Sequence, residues 1–254
     1  DNSIPKFSYA SSFGVSSIFP WQRKGVAGFL KRLDLIGVRE QRGKQIVKEL
    51  TGKDAKVVCD PTFLLTTDEW IEALMENEKE RGLERNGEPY KIDTPYILAY
   101  VLGERKDVRE EIKKLREQSG LKIVNLPHVD NYHAMDDNLG DINLYDVDPF
   151  DFIRLIRDAE YVVTDSFHGS VFSIQMHKKF LTFYRKPSSE KGNTNSRIDS
   201  LFNILGLSER LYKGDVFNQI KKNIDYGYVD RQVEELRIDS LAFFKQALGL
   251  GRII

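Results

Sequence analysis

The stretch YVVTDSFHGSVFSIQMHKKF, residues 161–180, carries the reading of the whole chain. Four apolar or β-prone residues, Tyr161 to Thr164, run straight into a cluster of small polar groups: Asp165, Ser166, His168, Gly169 and Ser170. An apolar pattern of helical period follows, then the basic pair Lys178 and Lys179 and the apolar run FLTFY. Strand, polar turn, helix and strand in quick succession indicate an α/β fold with a parallel sheet. In such sheets ligands bind beyond the carboxyl ends of the strands, where this polar cluster falls.

The same alternation extends upstream. KFSYA (residues 6–10) reads as a strand ending in the small turn Ser11, Ser12, Phe13, Gly14, and LDLIGV (33–38) as the next strand. REQRGKQIVKELTG (39–52) is a helix with Ile46, Val47 and Leu50 on one face and Gly52 as its stop. AKVVC is a third strand, closed by Asp60-Pro61, and TTDEWIEALM opens a helix with Thr66 or Thr67 as N-cap. Residues 76–91, ENEKERGLERNGEPYK, are mostly charged and contain two glycines and a proline, which predicts a linker.

Beyond it YILAYVL (96–102) is too apolar to face water and predicts a central strand. Val108, Ile112 and Leu115 then recur at helical spacing, and LKIVNL completes a βαβ unit with parallel strands. The long polar run HVDNYHAMDDNLGDINLYDVD reads as a loop, and DPFDFIRLIRDAE as a helix with Asp148 as N-cap and Pro149 at its first position. Two amphipathic helices, SRIDSLFNILG and DRQVEELRIDSLAFFKQALG, follow the decisive stretch. The expected division is a first domain at 1–75, a linker at 76–91 and a second domain at 92–254, whose last helix packs back on the first. The chain opens with Asp1 rather than Met and runs directly into strand-like sequence, which predicts that residues of the first domain are missing upstream.

Composition narrows the function. With 41% hydrophobic and 30% charged residues the chain reads as an ordinary soluble globular protein. A net charge of -1 gives no footprint for nucleic acid, and no apolar run reaches the ~18 residues of a membrane span. No signal-peptide pattern is present, and the single cysteine, Cys59, cannot form an internal disulfide; both fit a cytoplasmic location. Peripheral attachment to a membrane stays compatible with all of this.

Three places invite chemistry. In TDSFHGS, a helix N-terminus offers unpaired N–H groups and a positive dipole end, which favour an anion. Ser166, Gly169 and Ser170 are small enough to let a phosphate or carboxylate approach the backbone, and His168 can carry a proton. Asp165 could orient that histidine or accept a hydroxyl proton. The same residues also fit a bland reading, with Asp165 and Ser166 as caps and His168 as a satisfied turn residue. Arg39, directly after the strand LIGV, could grip an anion with two hydrogen bonds, or pair on the surface with Glu40 or Glu49. Asn195 and Arg197, in the segment RKPSSEKGNTNSRIDS, suit an anion-binding or lid loop, or a flexible loop with Ser196 as N-cap. His128, Asp130, His133, Asp136 and Asp137 match no metal-ligand spacing and fit a sugar-binding or gating loop better. His177, near a helix end, is explained by the dipole. No GxxxxGK, GxGxxG or GxSxG motif occurs.

Taken together, SYASSFG, IGVREQRGKQIVKELTG, VVCDPTFLLTTDEW, DFIRLIRDAEYVVTDSFHGSVFSIQ, NSRIDSLFNILGL and IDYGYVDRQVEELRIDSLAFF resemble the polysaccharide pyruvyl transferase family. The resemblance implies two Rossmann-like domains with parallel sheets facing a cleft, as in GT-B glycosyltransferases, with the acceptor on the first and the donor on the second. It also implies transfer of a pyruvyl group from phosphoenolpyruvate to two sugar hydroxyls in polysaccharide (exopolysaccharide) biosynthesis, giving a ketal and phosphate. His168 matches the family's HG histidine, the proton donor, and Arg39 the arginine of its VRE segment, an anion ligand. Where related motifs read RLHG, this chain has Ser166, so the missing charge falls to Arg185, Lys186 or Arg197, or the donor differs.

Phosphoenolpyruvate is then the co-substrate and a sugar or glycan-lipid the acceptor, with no metal or other cofactor. Two other readings stay open: a GT-B glycosyltransferase with a nucleotide-sugar donor, and a catalytically silent sugar- or phosphate-binding module.

Overall fold

The structure, a computed structural model, describes residues 4–84, 92–127, 132–187 and 195–249. In chain order the elements are β1 (Phe7–Ser11), α1 (Pro20–Lys31), β2 (Leu35–Val38), α2 (Gln41–Thr51), β3 (Lys56–Val57) and α3 (Thr67–Glu84). Then come β4 (Tyr96–Tyr100), α4 (Lys106–Ser119), β5 (Lys122–Asn125), β6 (Ile142–Asn143), α5 (Pro149–Asp158), β7 (Tyr161–Thr164) and α6 (Phe167–Gln175). The chain closes with β8 (Lys179–Thr182), α7 (Ser196–Leu205), α8 (Val216–Lys221) and α9 (Tyr226–Ala247). It forms two compact units: Asp1–Leu64 with Lys186–Ser208 and Tyr226–Ile254, and Leu65–Arg185 with Glu209–Asp225.

The first unit is built on a parallel sheet in the order β1-β2-β3. Alternation along β2 splits its side chains between two apolar layers. Ile36 and Val38 pack with Val47 of α2, Ala55, and the half-buried Leu30 and Leu33 at the end of α1. Leu35 lies with Ala10, Tyr9, Val58 and Phe243 of α9. Gly37 is required there, because a Cβ would come 2.8 Å from the Phe243 ring and 2.9 Å from the Ser8 carbonyl. Two hydrogen bonds tie α9 to the chain after β3: Arg237 Nε donates to Phe63 O at 2.6 Å, and the Cys59 amide to Ser240 Oγ at 2.9 Å. Cys59 itself is buried, and burial pushes its thiol pKa up.

The second unit carries a fully parallel sheet in the order β6-β5-β4-β7-β8. β4 is central, as its composition predicts, with Tyr96 to Ala99 buried. The registers Tyr100↔Thr164 and Thr164↔Thr182 bring the carboxyl ends of β4, β7 and β8 side by side. Expected termini recur in detail. Asp148 accepts from Asp151 N at 2.8 Å with Pro149 at the first position of α5, and Gly52 closes α2 with φ 74°. Thr66 and Glu69 exchange hydrogen bonds in a capping box, so Thr66 is the N-cap of α3.

Four features differ from the sequence expectation. α1 has no counterpart in it, because its apolar residues are interleaved with glycines and exposed aromatics that blur the period. β6 and α8 are too short, two and six residues, to show a pattern. The first part of the expected 76–91 linker, residues 76–84, instead continues α3, which is held against α5 by Arg154 donating to Glu78 at 2.9 Å and to Asn77 at 2.7 Å. Residues 85–91 lie outside the described residues. In place of the linear division at 75 and 92, α7 joins α9, the helix expected there, in the first unit, and the chain crosses between the units at Arg185–Lys186, Ser208–Glu209, Asp225–Tyr226 and, first of all, Leu64–Leu65. No shift in composition marks that boundary.

Candidate functional site

β7 ends at Thr164, and its hydroxyl sets the turn that follows. Thr164 Oγ1 donates to the Tyr100 carbonyl at 2.6 Å and accepts the Ser166 amide at 3.0 Å. Ser166 is the N-cap of α6: its Oγ accepts from Gly169 N at 3.3 Å, while its carbonyl accepts from Ser170 N at 3.0 Å. Ser170 Oγ lies 3.0 Å from the Ser166 carbonyl, to which it donates, and 2.8 Å from Thr182 Oγ1 on β8. Gly169 packs flat on β7, where a Cβ would overlap Thr164 Oγ1 and sit 3.1 Å from its Cβ and Cγ2.

Ser166, Gly169 and Ser170, expected from their size to let a ligand approach the backbone, are engaged with one another and with their neighbours. All three are buried, and their amides and hydroxyls serve the turn itself. At Gly169 strand and helix approach too closely for any side chain.

Asp165 is likewise a clamp. Its two carboxylate oxygens accept from Leu102 N and Gly103 N, each at 2.7 Å, fixing the turn after β4 to the turn after β7. It does not hold the His168 imidazole, because both oxygens are turned toward that neighbouring loop. Burial lifts its carboxyl above the usual aspartate range, against the opposing pull of the Leu102 amide, the Arg185 guanidinium and the Gly103 amide. Gly103 has no room for a side chain: a Cβ would lie 2.7 Å from Asp165 Oδ2 and 2.8 Å from Arg185 Cγ. The Gly103 carbonyl is gripped in turn by Arg109, which is buried and paired with Asp136 at 2.7 Å.

His168 stands apart. From Tyr161 to Met176 every residue is buried except this one, which is exposed on the first turn of α6 with its ring set edge-on to Phe167 at 5.5 Å. Beside it in topology, three residues past β8, Arg185 lies 3.9 Å from Asp165 Oδ1. The Arg185 side chain is 31% exposed, and its inner Nε has no hydrogen-bond partner. An exposed proton carrier and a guanidinium that the fold does not consume thus leave adjacent strand ends of one sheet.

The remaining candidates belong to the first unit. Arg39 follows β2 and pairs with Asp60, not with Glu40 or Glu49. Asp60 is further held by Thr62 through its amide at 3.1 Å and hydroxyl at 2.8 Å. Glu40 instead accepts from Phe13 N and Ser12 Oγ, and Glu49 pairs with Arg42. Asn195 precedes α7 and donates to the Lys186 carbonyl at 3.2 Å, making no side-chain cap, and Arg197 stands in the first turn of that helix. Among the described residues no three His, Cys, Asp or Glu side chains are grouped as a metal ion would need; His128 and Asp130 lie outside those residues.

Two residues of the second unit were not read from the sequence. Arg109 is hidden in the charged run KDVREEIKKLREQSG, and its signal was only its place beside the Val108–Ile112 stripe. Thr164 reads as one more strand residue, although its hydroxyl organises the turn.

A family profile described as polysaccharide pyruvyl transferase matches residues 2–187, which include Arg39, Asp165, His168 and Arg185 but not Asn195 or Arg197. No curated protein matches the sequence. Among solved structures the fold is similar to the UDP-GlcNAc 2-epimerase of Neisseria meningitidis bound to UDP-GlcNAc, at 11% identity and a TM-score of 0.52 over 94% of this chain and 70% of that one. It is similar to S. aureus MnaA in complex with UDP, at 16% identity and 0.50, over 98% of this chain and 69% of that one. The wall teichoic acid polymerase TagF gives 11% and 0.47, with this chain spanning 63% of its length. The likenesses to the epimerase and to MnaA are of fold: α/β, with parallel sheets.

Proposed function

The chain belongs to the polysaccharide pyruvyl transferase family, whose members are transferases that modify polysaccharides, and from that premise we propose that it moves a pyruvyl group from phosphoenolpyruvate onto two hydroxyls of a sugar acceptor. The observation that carries this reading is the solitary exposure of His168 on a platform that is otherwise entirely buried. An imidazole so presented suits a general acid, which must reach its substrate yet stay fixed in direction.

In the proposed reaction a sugar hydroxyl adds its oxygen to C2 of phosphoenolpyruvate while His168 delivers a proton to C3, turning the methylene into a methyl group. The C2–O bond to phosphate then breaks and inorganic phosphate leaves. A second hydroxyl adds at C2 and closes the ketal, and its proton returns to the imidazole. Two hydroxyl protons are lost, one taken up by carbon and one by phosphate, so the transfer balances without a redox partner.

The donor carries a phosphate and a carboxylate, and Arg185 is the proposed ligand for one of them. Its side chain is partly exposed, and its buried Nε is not used by any hydrogen bond of the fold. Asp165 acts as a positioning residue: it ties the turns after β4 and β7 together and so fixes where α6 begins.

The test is incubation of the protein with phosphoenolpyruvate and a panel of sugar and glycan-lipid acceptors, following phosphate release and acceptor mass. Gain of a pyruvate ketal, abolished in His168→Gln with an unchanged melting temperature, is expected. Consumption of a nucleotide sugar instead, with phosphoenolpyruvate neither bound nor used, would overturn the reading. So would ketal formation that survives His168→Gln.

A further inference from the structure

We propose that the outer face of α1 docks on an anionic lipid surface. The inference is independent of the chemistry assigned to His168. It begins with a charge asymmetry: between Asp1 and Asp34 the sequence holds no acidic residue, yet it holds Lys6, Arg23, Lys24, Lys31 and Arg32, in a chain whose net charge is -1.

α1 places part of that charge beside exposed aromatics. None of its residues is buried. Trp21 is 78% exposed, Phe29 71% and Phe19, just before the helix, 52%, with the Phe19 and Trp21 rings stacked at 6.2 Å. At 3.6 residues per turn Trp21 and Phe29 lie about 80° apart around the axis and roughly 12 Å apart along it. Gly25 falls between them and Gly28 within about 20° of Trp21 on its other side, which keeps that face flat. Arg32 falls within about 20° of Trp21, and Lys24 and Lys31 within about 80° on the other flank. The opposite face is already used, through Leu30, and with Leu33 beyond the helix, against Ile36, Val38, Val47 and Ala55.

So the helix presents an aromatic edge, a flat glycine floor and a cationic edge, all in solvent. Among the described residues Lys24, Lys31 and Arg32 form no ion pair. Large exposed rings beside unpaired cations match the interfacial region of a bilayer, where indole and phenyl rings settle at headgroup depth and ammonium or guanidinium groups meet phosphate. The absence of any acid across residues 2–33 favours anionic headgroups over a neutral or mixed protein surface. No helix among the described residues is long and apolar enough to cross a membrane, so such attachment would be in the plane of the surface.

The experiment is co-sedimentation of the full chain with phosphatidylcholine vesicles, with and without phosphatidylglycerol. Binding only to the anionic vesicles is expected. Trp21→Ala with Phe29→Ala should weaken it roughly tenfold or more, and Lys24→Glu with Lys31→Glu and Arg32→Glu on the order of a hundredfold. Lys113→Glu, an exposed change on α4, should leave it intact. In a Trp70→Phe background Trp21 is the single indole, since the chain has two tryptophans, and its emission should shift to the blue on anionic vesicles. Failure to sediment with anionic vesicles, or sedimentation unmoved by either α1 variant, overturns the proposal. A concentration-dependent self-association abolished by Trp21→Ala, without vesicle binding, also overturns it, because the face would then belong to a second copy of the chain.

Discussion

Replacing Asp165 by Asn separates a clamp from a catalytic carboxylate. In the native turn each oxygen of Asp165 accepts one backbone amide at 2.7 Å. Hydrogen bonds to a charged group contribute ~1.5–3 kcal/mol each. Asn keeps one acceptor, but its amino group must face the second amide, so one such bond is lost and a buried N–H is left without a partner. Removing the buried charge returns part of the loss, since burial is the largest influence on this carboxyl and opposes its ionisation. A net destabilisation of about 3 kcal/mol follows. For a chain of this size that lowers the melting temperature by roughly 6–12 °C. Circular dichroism on heating reads the shift, and ketal formation per folded molecule, measured well below the transition, reads the chemistry. Asp165→Asn should lose stability and keep turnover within about tenfold of wild type, the reverse of His168→Gln. An unchanged melting temperature with turnover lost would refute the clamp and make Asp165 a participant.

The same carboxyl gives a pH test of known sign. Its folded pKa is raised, so the native state holds this proton more tightly than the unfolded chain does. That contribution is fully present below the ordinary aspartate range and is lost as pH climbs through the raised folded value. The stability advantage of wild type over Asp165→Asn should therefore shrink as pH rises from about 4 upward. An advantage that grows over this range would mean the carboxyl is depressed, not raised.

Three further outcomes are expected. Gly169→Ala should destabilise by about 2 kcal/mol through overlap with Thr164, and less in a Thr164→Ala background, which denaturant unfolding of the four-member cycle measures. Arg39→Ala removes the cation paired with the buried Asp60 and should lose about 2 kcal/mol, much of which Asp60→Asn should return in the double variant. Arg185→Gln should leave the melting temperature within a degree or two and raise the KM for phosphoenolpyruvate at least tenfold; a KM unchanged would remove Arg185 from the donor site.

The fold was legible because two periods sit side by side in the sequence. β4, β7 and the stripe of α4 are long apolar signals bounded by turns, and the helix ends at Gly52 and Asp148 carry their own chemistry. What stayed hidden was topology across the chain. Nothing local says that α7 joins the last helix, expected there, in the first unit, because that choice is made by distant contacts such as the Gln41 amide with Ser200 Oγ at 3.2 Å. The site divides in the same way. The place of His168 follows from a strand running into a helix, but the work of its neighbours does not. Ser166, Gly169 and Ser170 are small for a ligand or small for packing, and only the distance between α6 and β7 decides between them.

That decision has a consequence for how a donor can be held. The Ser166, Gly169 and Ser170 amides are each engaged inside the turn, by Thr164 Oγ1, Ser166 Oγ and the Ser166 carbonyl. With the Gly169 amide taken by the Ser166 cap the terminus offers an anion fewer donors, and its dipole alone is worth only ~0.3–1 kcal/mol to a charge. In the proposed reaction the balancing charge comes from side chains, and a guanidinium stands at the next strand end. Arg185 lies close enough to Asp165 to be attracted, yet at 3.9 Å too far to form a hydrogen bond with it. A group held near its counter-ion but not consumed by it can turn to an incoming anion without breaking the clamp that fixes α6. The rigidity of the platform and the freedom of that one arginine are in this sense the same arrangement: Asp165 spends its oxygens on the backbone, and the cation beside it is left available.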